Sequence, residues 1–79
     1  MAISKKEISK KIQIAQYNLS REKLRAATKE NNALWVLYNP DNECFYIVEG
    51  SEDIKLIISN EHFLEEIIDI IHFYVNNIF

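Results

Sequence analysis

Residues Ala33 to Gly50, ALWVLYNPDNECFYIVEG, set two runs of β-branched and aromatic residues on either side of Asn39-Pro40-Asp41-Asn42. Strand-forming side chains flanking a short polar break are the pattern of a β-hairpin. Proline at the second turn position sets φ, asparagine suits the first, and Asn42 tolerates a left-handed backbone. The pattern predicts a hairpin over 34–48, with strands at 34–38 and 44–48. Alternation inside it is imperfect. Trp35, Leu37, Phe45 and Ile47 share one parity, and Leu34, Val36, Tyr38, Cys44, Tyr46 and Val48 share the other. Both faces are apolar, so either a helical layer covers each side or one face is left as an interface.

Downstream, Gly50-Ser51-Glu52-Asp53 reads as a second turn, and the alternation of Ile54, Leu56 and Ile58 with Lys55 and Ile57 predicts a third strand at 54–58. Asn60 is placed to cap a carboxy-terminal helix over 61–77, with Glu61, Glu65 and Glu66 near its positive end. Phe63, Leu64, Ile67, Ile68, Ile70, Ile71, Tyr74, Val75 and Ile78 cover about half of that helix, wider than the ~100° stripe of an ordinary surface helix. Upstream, residues 4–31 contain neither Gly nor Pro and many helix formers, which predicts a helical basic segment. A break near Asn18 would let Ser20 cap a second helix, with Leu19 and Leu24 as a hydrophobic staple. If the segment is instead one continuous helix, Ile8, Ile12, Ala15, Leu19 and Ala26 line one face at helical spacing. These elements predict one small α+β domain over 1–79 in the order α-β-β-β-α. Its three-stranded antiparallel meander is packed by the amino- and carboxy-terminal helices.

Seventy-nine residues, 48% of them apolar, suffice for one small core but not for a large enclosed active site, since a domain of this size buries only about 60% of its unfolded surface. A single cysteine, Cys44, cannot form an internal bridge, which favours a reducing, cytoplasmic setting. The first residues lack an apolar export core, and the longest apolar run, Ile67 to Val75, is interrupted by Asp69 and His72; no membrane role is expected. Charge is divided along the chain. Residues 1–30 carry eight basic against three acidic groups, and residues 31–79 carry one against nine, behind a net charge of −3. That division points to a polyanion, an oppositely charged protein, or a second copy of the chain.

Lys6, Lys10, Lys11, Arg21, Lys23, Arg25 and Lys29 are the candidate nucleic-acid-binding residues. Over residues 6–24, the spacing of Ile8, Ile12, Ile14 and Leu19 is similar to the buried positions of DNA-binding helix-turn-helix units, with the hairpin as a wing. It departs from that pattern at Gln13, where a turn glycine is common, and at Glu22, where an apolar residue is expected. The resemblance implies that Ser20, Arg21 and Lys23 reach a groove while Arg25 and Lys29 hold phosphate.

On the last helix His62, Glu65, Glu66, Asp69 and His72 share a polar face, with Asp69 and His72 one turn apart. The same spacing is that of a solvated face, and no second helix offers matching ligands, so no metal or cofactor is expected. Cys44 reads as an inert strand residue, and no Gly-rich phosphate loop, CxxC or GxSxG motif is present. Catalysis is therefore not expected.

The preferred reading is a non-catalytic module that binds a protein partner or forms a homodimer, with nucleic acid as the alternative. Its partner-binding candidates are the aromatic residues Trp35, Tyr38, Tyr46 and Phe73 and the carboxylates Glu49, Glu52, Asp53, Glu61, Glu65, Glu66 and Asp69. The small size, element order and concentrated acidic half look like inhibitors encoded by phages or mobile elements. That resemblance implies that the carboxylates stand in for phosphates against a basic groove.

Overall fold

The computed structural model describes residues 3–29 and 32–78, with the side chains of 25–29 outside that description. The chain runs α1 (Lys5–Asn18), β1 (Arg21–Lys29), β2 (Asn32–Asn39), β3 (Cys44–Glu49), β4 (Asp53–Ile58), α2 (Leu64–Phe73) and a closing π-turn (Tyr74–Ile78). The four strands form one antiparallel sheet in the order β1-β2-β3-β4. The α+β class, with a meander packed by the terminal helices, is as the sequence predicts, and the meander has four strands rather than three.

The added strand comes from the segment expected to be helical. Ser4 caps α1, its Oγ accepting from the Glu7 N–H at 3.2 Å and satisfying an otherwise orphaned donor. Leu19 then takes a left-handed backbone (φ 51°) that ends the helix. Ser20 does not cap a second helix; its N–H donates back to the Ala15 carbonyl. Arg21 to Lys23 pair instead with Leu37 to Trp35, and after a register shift Thr28 and Lys29 pair with Ala33 and Asn32. Residues 30 and 31, the end of the expected helical segment, lie outside the described residues.

The hairpin turn closes through two asparagine side chains. Asn39 Oδ1 accepts from the Asp41 N–H at 2.9 Å, and Asn42 Oδ1 from the Cys44 N–H at 3.1 Å, each replacing a backbone turn bond. The left-handed residue is Glu43 (φ 57°), not Asn42. At the next turn Gly50 holds φ 67° and donates its N–H to Ala33, a backbone state that costs glycine little.

α2 begins at Leu64, later than expected from Asn60. Ser59 accepts the N–H groups of Glu61 and His62, making a turn that delays the helix, and Phe63 becomes the cap. The Phe63 N–H donates to Glu66 Oε1 at 3.1 Å, which is half of a capping box. After Phe73 the coil widens into the π-turn, where Asn76 forms two hydrogen bonds with Ile3: Ile3 N–H to Oδ1 at 3.0 Å, and Nδ2 to the Ile3 carbonyl at 3.1 Å. The two ends of the chain are tied together there.

Both helices lie on one face of the sheet. Ile8, Ile12 and Ala15 of α1, with Ile67 and Ile71 of α2, share one core cluster with Leu24, Leu34, Val36, Tyr38, Phe45, Ile47 and Ile58. Each buried aliphatic side chain contributes roughly 1.5–3 kcal/mol relative to exposure. Tyr38, expected on an exposed face, lies instead on this helix-covered side. It is 9% exposed and packs across the hairpin on Phe45, ring centroids 5.1 Å apart.

Candidate functional site

Because both helices share one side, no described element covers the opposite face of the sheet. Strand register assigns it two transverse rows. Lys23, Trp35, Val48 and Ile54 are successive cross-strand neighbours, as are Arg21, Leu37, Tyr46 and Ile57. A bulge opposite the Ile47–Val48 step turns Ile54 to the same side as Ile57, as a bulge re-aims side chains. Ile54 and Ile57 are 50% and 59% exposed, whereas Val48, which lies outside the helix-covered core cluster, is 4% exposed at the centre of this second apolar group. The result is a continuous aromatic and aliphatic surface of three strands, edged by two cations.

Arg21 organises one corner. Its guanidinium carbon lies 4.7 Å from the centroid of the Trp35 ring, a cation–π distance. Nη1 donates to the Ser51 carbonyl at 3.0 Å and Nη2 to the Gly50 carbonyl. One side chain thus links β1, β2 and the β3–β4 turn. On the other side of the face Asn42 Nδ2 donates to the Tyr46 hydroxyl at 2.8 Å, fixing that ring. Cys44 is half-buried on the same face, its Sγ 3.5 Å from the Asn42 carbonyl.

The remaining candidates are dispersed. Phe73 is 59% exposed, but on α2, on the helical side of the sheet. Glu49 and Asp53 both pair with Lys55, at 3.5 and 2.8 Å. Glu66 is shared between the Phe63 N–H and His62 Nδ1, and Asp69 pairs with Lys5 at 3.0 Å. Glu52, Glu61 and Glu65 are exposed, the first on the β3–β4 turn and the others at or before the start of α2. The seven carboxylates therefore do not form one array; four already hold partners within the chain.

The basic candidates divide as well. Lys6 and Lys10 are exposed on α1, away from the sheet, while Lys11 meets Glu22 at 3.5 Å. Glu22, out of place in a helix-turn-helix, is in place here as the β1 residue facing α1. Ser20, Arg21 and Lys23 cannot form a recognition helix because residues 21–29 are a strand. Arg25 and Lys29 are in that strand, their side chains outside the described residues.

Two proton affinities are raised, one by neighbouring charge and one by burial. Lys55 is held protonated above its usual 10.5, first by its hydrogen bond and attraction to Asp53 and then by Glu49. Tyr74 is raised above 10.0, mainly by burial, which disfavours the phenolate. Gln16, Tyr38, Glu43, Phe45, His62 and Ile67 help to line a cleft of about 280 Å³ between the end of α1, the hairpin turn and the start of α2. Among the described residues no group of three or more His, Cys, Asp or Glu side chains is arranged to hold a metal ion, and no helix is long and apolar enough to cross a membrane. No protein-family model, curated protein sequence or solved structure matches the chain.

Proposed function

We propose that this domain is a non-catalytic protein-binding module that docks through the open face of its sheet. One observation carries the reading: Trp35, Leu37, Tyr46, Ile54 and Ile57, packed around the buried Val48, form an apolar surface on the side that neither helix covers. An aromatic and aliphatic patch of this kind loses unfavourable hydration when a partner covers it. The helical face supplies the rigidity, so little ordering cost accompanies docking.

Single-stranded nucleic acid is the second reading, because Arg21 and Lys23 flank two aromatic rings on this face. It is the lesser one. The guanidinium already covers the Trp35 ring and its donors are committed to two carbonyls, which leaves Lys23 as the only uncommitted described cation beside the rings.

Photo-cross-linking tests the docking reading. A light-activated group on Cys44 is expected to join a discrete protein from a lysate of the source cells, and Leu37→Asp with Ile57→Asp should abolish that adduct while the circular dichroism stays native. The same group on a cysteine at the exposed α1 position Gln13, in a Cys44→Ser background, should give no such adduct. Identical adducts from both positions, or insensitivity to the two aspartates, would reject the reading.

A further inference from the structure

We infer that the segment received by the open face is acidic as well as apolar, its carboxylates meeting Lys23 beside the Arg21–Trp35 corner. This rests on the docking reading above and names the chemistry of the partner. The described strand residues of the open face include two charges, both positive, and no Asp or Glu, although the chain as a whole carries −3. The described strand residues of the face thus carry charge opposite in sign to the net charge of the chain.

Neither cation is neutralised by a carboxylate among the described residues. Lys5, Lys11 and Lys55 each hold one, but Lys23 is exposed and pairs with no carboxylate of the described residues. Arg21 is balanced only by carbonyl oxygens, and its Nε is buried with no acceptor. Between them lies an open depression bordered by Arg21, Lys23, Ala33, Trp35, Gly50 and Ser51. Alanine and glycine at its rim leave room beside the indole, so a short acidic side chain can approach Lys23 while aliphatic neighbours cover Leu37 and Ile57. A charge-assisted hydrogen bond at the edge of an apolar contact fixes register and orientation.

The charges and side chains of the face disfavour the other occupants. Two copies face to face would bring four cations and no strand carboxylate into one apolar seam, an uncompensated desolvation. Nucleic acid would supply anions, but its bases need ring faces for stacking. Here one ring is capped by Arg21, and four of the six apolar side chains are aliphatic.

The test is selection of a random peptide library displayed on phage against the full chain, followed by titration of the enriched peptides. Trp35 is the single tryptophan, so its fluorescence reports occupancy of the face. The expected peptides combine Asp or Glu with aliphatic or aromatic residues and shift Trp35 emission. They should lose affinity roughly tenfold on Lys23→Glu, in keeping with removal of one charge-assisted contact, while Lys23→Arg and Lys10→Glu bind as the parent does. Neutral or basic peptides that shift Trp35 equally well would overturn the acidic partner and leave the docking reading standing. An oligo(dT) strand that shifts Trp35 when no peptide does would overturn both. A mass that rises with protein concentration, and is returned to the monomer by Ile57→Asp, would make a second copy the occupant and overturn the inference.

Discussion

Arg21 lies across Trp35 with 4.7 Å between the guanidinium carbon and the ring centroid, and the same fork reaches the carbonyls of Gly50 and Ser51. An edge-strand residue is thereby tied to the far turn of the sheet by stacking and hydrogen bonding together. Arg21→Ala should cost about 1–2 kcal/mol, from one cation–π contact and two partly exposed charge-assisted bonds. Thermal unfolding would register this as a fall of roughly 4–8 °C per kcal/mol for a domain of this size, and Trp35 emission would move to longer wavelength. Arg21→Lys should recover less than half, because an ammonium lacks the planar fork.

Ile47 and Ile57 test which face is core. Ile47 is fully buried and Ile57 is 59% exposed. Ile47→Ala is expected to cost about 2–5 kcal/mol, a large share of the total stability of so small a domain. Ile57→Ala should stay within about 0.5 kcal/mol. Urea denaturation of both variants checks the contrast, and equal losses would mean that the outer face is covered in the isolated protein.

Asn76 and Asp69 both connect the chain's ends, by different means. Asn76 makes two hydrogen bonds to the backbone of Ile3, which is 2% exposed. Asp69 makes one ion pair to Lys5 with both side chains more than half exposed. Asn76→Ala should cost about 1–3 kcal/mol by leaving two backbone groups unpaired. Asp69→Asn should change stability by less than about 0.5 kcal/mol, the ordinary worth of a solvated pair. Amide exchange at Ile3 should accelerate only in the first variant.

Leu19 holds φ 51° at the end of α1 with its side chain 58% exposed. A left-handed leucine carries backbone strain, and little apolar contact opposes its removal. Leu19→Gly should therefore stabilise the domain by about 0.5–1 kcal/mol, seen as a higher Tm. No gain would indicate that entropy of the unfolded glycine chain offsets the relief.

Stability should fall in alkali. Lys55 and Tyr74 both have folded-state proton affinities raised above their usual 10.5 and 10.0, so the native chain binds more protons than the unfolded one once pH passes those values. The slope of stability against pH is then negative from about pH 10 upward until the folded groups titrate. Tyr74→Phe should reduce that slope without altering stability at neutral pH beyond the loss of one hydroxyl. Urea midpoints measured across the alkaline range would show it.

Much of the fold was legible in sequence because local chemistry and tertiary demand agreed. Asn39-Pro40 and the β-branched runs around it belong to a hairpin, and the spacing of Ile67, Ile71 and Val75 belongs to a helix packed on one side. The α1 face of Ile8, Ile12 and Ala15 was legible for the same reason. Residues 21–29 were not, since REKLRAATK contains good helix formers and differs in propensity from a strand by only tenths of a kcal/mol per residue. The free edge of β2 and the burial of Leu24 outweigh that difference. As for the interaction face, the sequence named Trp35 and Tyr46. Tyr38 follows Trp35 by three residues and so points to the other side of the strand, but nothing local said which of the two sides the helices would cover.

By itself, then, the sequence determined a small α+β domain, the position of its hairpin, its closing helix, and the division of charge along the chain. Those properties depend on neighbours close in sequence. Tertiary structure alone decided that both helices share one side of the sheet, leaving Trp35, Leu37, Tyr46, Val48, Ile54 and Ile57 together on the other. It also decided that Arg21 and Lys23 join them on a strand. Which side a helix covers depends on how its ridge fits the opposing side chains and on Asn76 meeting Ile3, relationships between residues far apart in the chain that no local pattern encodes.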